Sequence, residues 1–184
     1  MRVAAGEFKG RRLTAPRGRR SRPTADQVRI ACLDTLAPWL AGARFLDLFA
    51  GAGAVGIEGL SRGCAVCVFV ETDRAAVAAL NRNLELLGLA DRARVLRREA
   101  LAAVELLRRE GARFEAIFLD PPYASGLAGE TLARLADGAL LAPGGLVVVQ
   151  HLTKAALPGH LGSLEAFKRR RFGETTLTFF RAGE

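Results

Sequence analysis

Asp120-Pro121-Pro122-Tyr123 directly follows the apolar run Ala116-Ile117-Phe118-Leu119. A buried strand that ends on a carboxylate gains no stability from it, because an unpaired charge taken out of water costs several kcal/mol. The turn is therefore predicted to face a ligand. Its prolines fix φ and remove two N–H donors, which stiffens it, and Tyr123, the single tyrosine of the chain, offers a flat face for stacking.

A second constellation lies upstream. Phe45-Leu46-Asp47-Leu48-Phe49-Ala50-Gly51-Ala52-Gly53-Ala54-Val55-Gly56 reads as a strand, a glycine turn and a helix. Gly51, Gly53 and Gly56 fit G-x-G-x-x-G, and Glu71 ends the next strand about 20 residues later, as a ribose-binding acid does. Such glycines admit the nucleoside of a nicotinamide dinucleotide or of S-adenosylmethionine (AdoMet) equally well. Asp47 separates the two. A carboxylate four residues before Gly51 suits an ammonium group, which AdoMet carries, whereas a pyrophosphate needs an uncharged approach to a helix N-terminus. One doubly wound domain also leaves no chain for a dehydrogenase's substrate domain. Glu99, after the third strand, is placed to accept from the adenine amine with the Ala100 backbone nearby; the alternative is an ordinary acid at a helix start. Phe49 and Thr72, beside the turn and beside Glu71, complete the cofactor-binding candidates.

The two constellations together suggest methyl transfer to an exocyclic amine. Such a nitrogen has its lone pair delocalised into a ring and must be drawn into line with the methyl group, which two hydrogen-bond acceptors accomplish. The Asp120 carboxylate and the Pro121 carbonyl are predicted to hold the two amine hydrogens, with Tyr123 stacked on a base that has left its helix or loop.

The elements that must position these residues follow from periodicity. From residue 43 onward, apolar strands alternate with helices: 44–48, 54–62, 65–70, 74–87, 93–96, 101–109, 114–119, 127–137 and 146–150. This pattern predicts βαβ units and a doubly wound, mainly parallel, seven-stranded sheet of Rossmann-like class, closed by an antiparallel hairpin around Phe172-Gly173-Glu174. In such a sheet the first and fourth strands flank the switch point, so Asp47 and Asp120 open into one crevice. Ahead of it, residues 1–16 alternate around Gly6 and Gly10 as a hairpin or ribbon, residues 17–23 form a basic loop, and Thr24 caps a helix over 25–36 that Pro38 stops.

Residues 1–29 hold nine of the 27 Lys and Arg but only two of the 19 Asp and Glu, so +7 of the +8 net charge sits there. A basic segment ahead of a near-neutral body implies a polyanionic partner. Arg11, Arg12, Arg19, Arg20, Arg22 and Thr24 are the nucleic-acid-binding candidates, on an arm over 1–23 preceding a catalytic domain over 24–184. Lys168-Arg169-Arg170-Arg171 is either a further RNA contact or a solvated turn. Three cysteines, no spanning apolar run and no hydrophobic leader predict a cytoplasmic, reducing location. Cys64 and Cys67 are read as apolar fillers, His151 as a residue overlooking the crevice, and no metal is expected from two histidines. Nothing requires a second chain, so a monomer is expected.

Ala5-Gly6-Glu7-Phe8-Lys9-Gly10-Arg11-Arg12-Leu13, Arg22-Pro23-Thr24, Leu46-Asp47-Leu48-Phe49-Ala50-Gly51, the Asp-Pro-Pro-Tyr turn and Leu141-Ala142-Pro143-Gly144-Gly145 span nearly the whole chain. Together they resemble the bacterial 16S ribosomal RNA guanine-N2 methyltransferase family. The resemblance implies a class I AdoMet-dependent methyltransferase sheet with an N-terminal β-hairpin. It also implies one guanine of small-subunit rRNA as substrate, met as 16S rRNA or in a 30S subunit or assembly intermediate. Where that pattern has aspartate at the adenine-binding position, this chain has Glu99. The Asp-Pro-Pro-Tyr type of turn also serves DNA bases and protein glutamine, and a non-catalytic RNA-binding protein on the same fold is the reading from another class.

Overall fold

Phe45 and Leu46 are adjacent and both fully buried, yet they join different cores, because successive side chains of a strand point to opposite faces. A sheet covered on both faces is the consequence. The structure is a computed structural model, and it describes residues 1–16, 23–123 and 126–183, the side chains of 23–25 excepted.

In chain order the elements are α1 (Pro23–Leu40), β1 (Arg44–Asp47), α2 (Ala54–Ser61), β2 (Val66–Val70), α3 (Arg74–Leu86), β3 (Ala93–Leu96), α4 (Ala100–Arg109), β4 (Phe114–Leu119), α5 (Leu127–Leu135), β5 (Leu141–Leu152), β6 (His160–Leu161), β7 (Leu164–Phe172) and β8 (Thr175–Ala182). The strands form one sheet in the order β3-β2-β1-β4-β5-β8-β7-β6. Pairing is parallel from β3 to β5 and antiparallel from β5 to β6. One face buries Phe45, Phe118, Val148 and Phe179 under α1, α2 and α3; the other buries Leu46, Ile117, Val147 and Phe180 under α4 and α5.

Two expectations are corrected, and a third is narrowed. The sheet has eight strands: β6 is two residues long, paired His160 with Glu165 and Leu161 with Leu164, too short to leave a periodic trace. Pro38 does not stop α1, which runs on to Leu40. An internal proline costs about 3 kcal/mol, but the extra turn fully buries Leu40 and lets Trp39 Nε1 donate to the Gly144 carbonyl at 3.0 Å. The N-terminal hairpin is a ribbon closed by a single bridge, Arg2 with Arg12.

That ribbon is stitched to the domain. Gly6 has φ +81° and comes so close to α2 that a Cβ there would lie 1.8 Å from the Ser61 carbonyl oxygen. The buried Glu58 accepts from Ala4 N at 2.8 Å and Ala5 N at 2.9 Å, and Asn83 of α3 exchanges hydrogen bonds with the Thr14 backbone. The ribbon's donors and acceptors are satisfied by helix side chains, and Val3 and Leu13 enter the core beneath α1–α3. Arg11 and Arg12 stay exposed on its outer side. Arg19, Arg20 and Arg22 lie outside the described residues, as does the side chain of Thr24, whose backbone is already helical.

Candidate functional site

The carboxyl ends of β1, β2, β4 and β5 and the amino end of α4 enclose a crevice of about 630 Å³. Alternation along the strands decides which acids enter it. Asp47 pairs with Phe118, and Asp120 lies two residues further on, so both carboxylates share the face that buries Phe45 and Phe118.

Asp47 is fully buried. Its Oδ2 accepts from Gly56 N at 3.1 Å, while Oδ1 has no hydrogen-bond partner among the described residues. Burial pushes its pKa up to about 7; the Gly56 and Phe49 N–H groups pull it back, and the charges of Asp120 and Glu71 raise it. A buried acceptor without a donor is costly, and a strongly polarised donor such as an ammonium group satisfies it.

Asp120, half-buried at the crevice floor, makes no hydrogen bond or ion pair among the described residues. Burial pushes its carboxyl up to about 7. Two desolvated acids on one face are a poor device for stability and a good one for holding donors.

The glycines divide the work. Gly51, φ +55°, faces open space, and its N–H donates to Glu71 Oε2 at 2.8 Å. Gly53 does not line the crevice: it turns the chain into α2 at φ +86°, with Leu80 where a Cβ would be. At Gly56 a Cβ would lie 2.3 Å from Phe69 Cε1 and 2.7 Å from Cys67 Sγ. Gly56→Ala is therefore expected to lower stability by about 1–3 kcal/mol, seen as a drop of several degrees in the melting temperature. An unchanged melting curve would show that α2 can shift freely.

Glu71 Oε1 accepts from Thr72 N and Asp73 N, both at 2.8 Å. The Thr72 hydroxyl adds a longer bond to Oε1 at 3.4 Å, whereas Oε2 accepts from Gly51 N alone among the described residues, and Glu71 lines the crevice. Phe49, Thr72, Glu99 and Ala100 line the same crevice. Glu99 stands before α4, makes no capping hydrogen bond and is exposed.

Tyr123 is 46% exposed, and its ring is held by the hydroxyl, which bonds Thr175 Oγ1 at 3.2 Å and accepts from Gln150 Nε2 at 3.2 Å. Gln150 lines the crevice and was missed from the sequence. The available signal was a polar residue at the carboxyl end of an apolar strand, where doubly wound sheets place ligands. His151, expected to overlook the crevice, points to the other face: it is buried, with Nε2 bonded to Thr178 Oγ1 at 2.8 Å. Cys64 and Cys67 are buried in the same core, because β2 begins only at Val66 and the pair does not obey strand alternation. Burial raises the pKa of both thiols, Cys64 to about 12. No cluster of three or more metal-ligating side chains occurs among the described residues, and no helix among them is long and apolar enough to cross a membrane.

The sheet order, the antiparallel closing hairpin and a crevice lined by Asp47, Glu71 and Asp120 define the class I methyltransferase fold. An Escherichia coli structure titled "Putative methyltransferase yhhF" superposes with TM-score 0.88 at 33% identity, covering 100% of this chain and 98% of that one. The family described as "Conserved hypothetical protein 95" matches residues 1–181, and the chain belongs to it. Its relatives include "Ribosomal RNA small subunit methyltransferase D" of Escherichia coli, 38% identical over 86% of this chain and 78% of the relative. "Putative rRNA methyltransferase YlbH" of Bacillus subtilis is 36% identical over 98% of both chains.

Proposed function

We propose that this protein transfers a methyl group from AdoMet to the exocyclic N2 amine of a guanine in small-subunit ribosomal RNA. The observation that carries the chemistry is the unpartnered Asp120 carboxylate on the same sheet face as the orphaned Oδ1 of Asp47. The relatives' names support rRNA as the substrate class, and the exposed Arg11 and Arg12 suit its phosphates.

AdoMet, when bound, supplies an electrophilic methyl group on a sulfonium. The residues present fit it: Oδ1 of Asp47 would receive the ammonium group, Glu71 Oε2 a ribose hydroxyl, and Glu99 with the Ala100 N–H the adenine edge. Asp120 and the Pro121 carbonyl each accept one hydrogen of the guanine amine and turn its lone pair toward the methyl group. Tyr123, braced by Gln150 and Thr175, stacks on the flipped base. Methylation leaves the nitrogen with a surplus proton, and Asp120, with a pKa near 7, is placed to take it. Positioning supplies most of the rate.

Incubation with methyl-labelled AdoMet and either naked 16S rRNA, 30S particles or DNA, followed by mapping of the labelled base, tests the reading. Label in N2-methylguanine of 16S rRNA is expected. Label confined to DNA, to protein or to another base would overturn it.

A further inference from the structure

The crevice does not end at Tyr123. Its outer wall, formed by Pro121, Pro122, Tyr123 and Gln150, is also the wall of a second hollow of about 170 Å³. That hollow shares His151, Ala156 and Leu157 with a third, of about 300 Å³, lined by Arg169 and Arg171. The three hollows thus adjoin one another through shared lining residues, from the crevice past Tyr123 to the arginine pair on β7.

The two arginines differ from their neighbour between them. Arg170 points to α1, where it donates to the Ala31 carbonyl at 3.1 Å and to Thr35 Oγ1 at 3.2 Å, with its guanidinium over Phe172. Arg169 and Arg171, on the opposite face by strand alternation, are exposed and make no ion pair with any described residue. Each uses one donor on a backbone carbonyl, Arg169 on Leu157 at 3.3 Å and Arg171 on Gly173 at 3.0 Å. A guanidinium carries five N–H donors, so both are braced and still have most of their donors free. The hollow they line contains Thr153 and Thr176 hydroxyls and no carboxylate.

We infer that Arg169 and Arg171 form a phosphate subsite for the RNA strand leaving the methylated nucleotide, with the hollow beside Tyr123 and Leu157 taking the adjoining base. This rests on the RNA reading above and deepens it. Flipping a base distorts the backbone on either side of it, and forked guanidinium donors suit the phosphodiester that must be held. The ribbon bearing Arg11 and Arg12 is tied to α2 and α3, on the β1–β3 half of the sheet, and the arginine pair lies on the β7–β8 half. The crevice takes its lining from the ends of β1, β2, β4 and β5, so in the sheet order the arginine pair lies beyond its β5 side.

The test compares wild type, the double variant Arg169→Ala with Arg171→Ala, and the corresponding double lysine variant. The substrate is the RNA methylated by the wild type. Both side chains are exposed, so the melting temperature and the AdoMet Kd should not change. The alanine pair is expected to raise the RNA KM about tenfold while kcat stays within about twofold. It should also lower the slope of log Kd against log salt by about 1.4, the value for two single-strand phosphate contacts. The lysine pair should restore the salt slope and part of the KM. An unchanged KM and salt slope, in a protein whose wild type methylates RNA, would overturn the subsite and leave the function standing. A wild type that neither binds nor methylates RNA would overturn both.

Discussion

Replacing Asp120 by alanine is expected to reduce methyl transfer by about 10³-fold or more while leaving the AdoMet Kd within about threefold. Holding and aligning an amine at its reaction distance is worth several orders of magnitude, and proton acceptance adds roughly 10²–10⁴. Truncation removes no hydrogen bond within the described residues, so the fold loses nothing. Its melting temperature should hold or rise, because a desolvated acid is gone. Asn at this position keeps one acceptor, and a smaller loss of about 10² is expected. The carboxylate is the accepting form, so kcat/KM of the wild type should climb with pH and level off above about 7, following the raised Asp120. Near-normal turnover by the alanine variant in a labelled-methyl assay would remove Asp120 from the mechanism.

Much of this site was legible because strand alternation is a rule of period two. Asp47 and Asp120 were expected to open into one crevice from strand order, and the register of β1 on β4 places both on one face. Glu71, Gly51, Phe49 and Ala100 likewise reach the crevice. Where the reading failed, the deciding contact was tertiary. Gln150 and His151 are adjacent at the end of β5, and only the extent of that strand reveals which of them turns to the crevice. Pro38 breaks helices in isolation, but here the burial of Leu40 and the Trp39 bond to Gly144 outweigh it. The N-terminal segment read as a basic arm standing before the domain, because its charges are visible in the sequence. The partners that tie it down, Glu58, Ser61 and Asn83, lie more than 50 positions away. No local pattern could have shown that Glu58, in the middle of an apolar helix, is buried to receive the Ala4 and Ala5 N–H groups.

Asp47→Asn should weaken AdoMet about 100-fold and make the ligand-free protein more stable above neutral pH. The first effect follows from removing the charge proposed to meet the ammonium group, since charge-assisted bonds in desolvated settings are worth about 2 kcal/mol or more. The second follows from linkage. Burial raises the Asp47 pKa to about 7, from a value of roughly 3.9 in an unfolded chain, so between those limits the folded state holds a proton that the unfolded state has lost. Stability from this group is therefore complete below about pH 4, falls as pH rises through 7, and levels off above. Asparagine is neutral throughout and its carbonyl still accepts from Gly56, so the variant should gain about 1–3 kcal/mol at pH 8, or several degrees of melting temperature, and nothing at pH 4. Saturating AdoMet should close or reverse this gap at pH 8, because a 100-fold tighter Kd adds about 2.7 kcal/mol more stability to the wild type than to the variant. Thermal melts at the two pH values, with and without AdoMet, separate a binding acid from a structural one. If the ligand-free variant melts lower than wild type at pH 8, Asp47 holds the glycine turn together, and the ammonium contact must be sought elsewhere in the crevice.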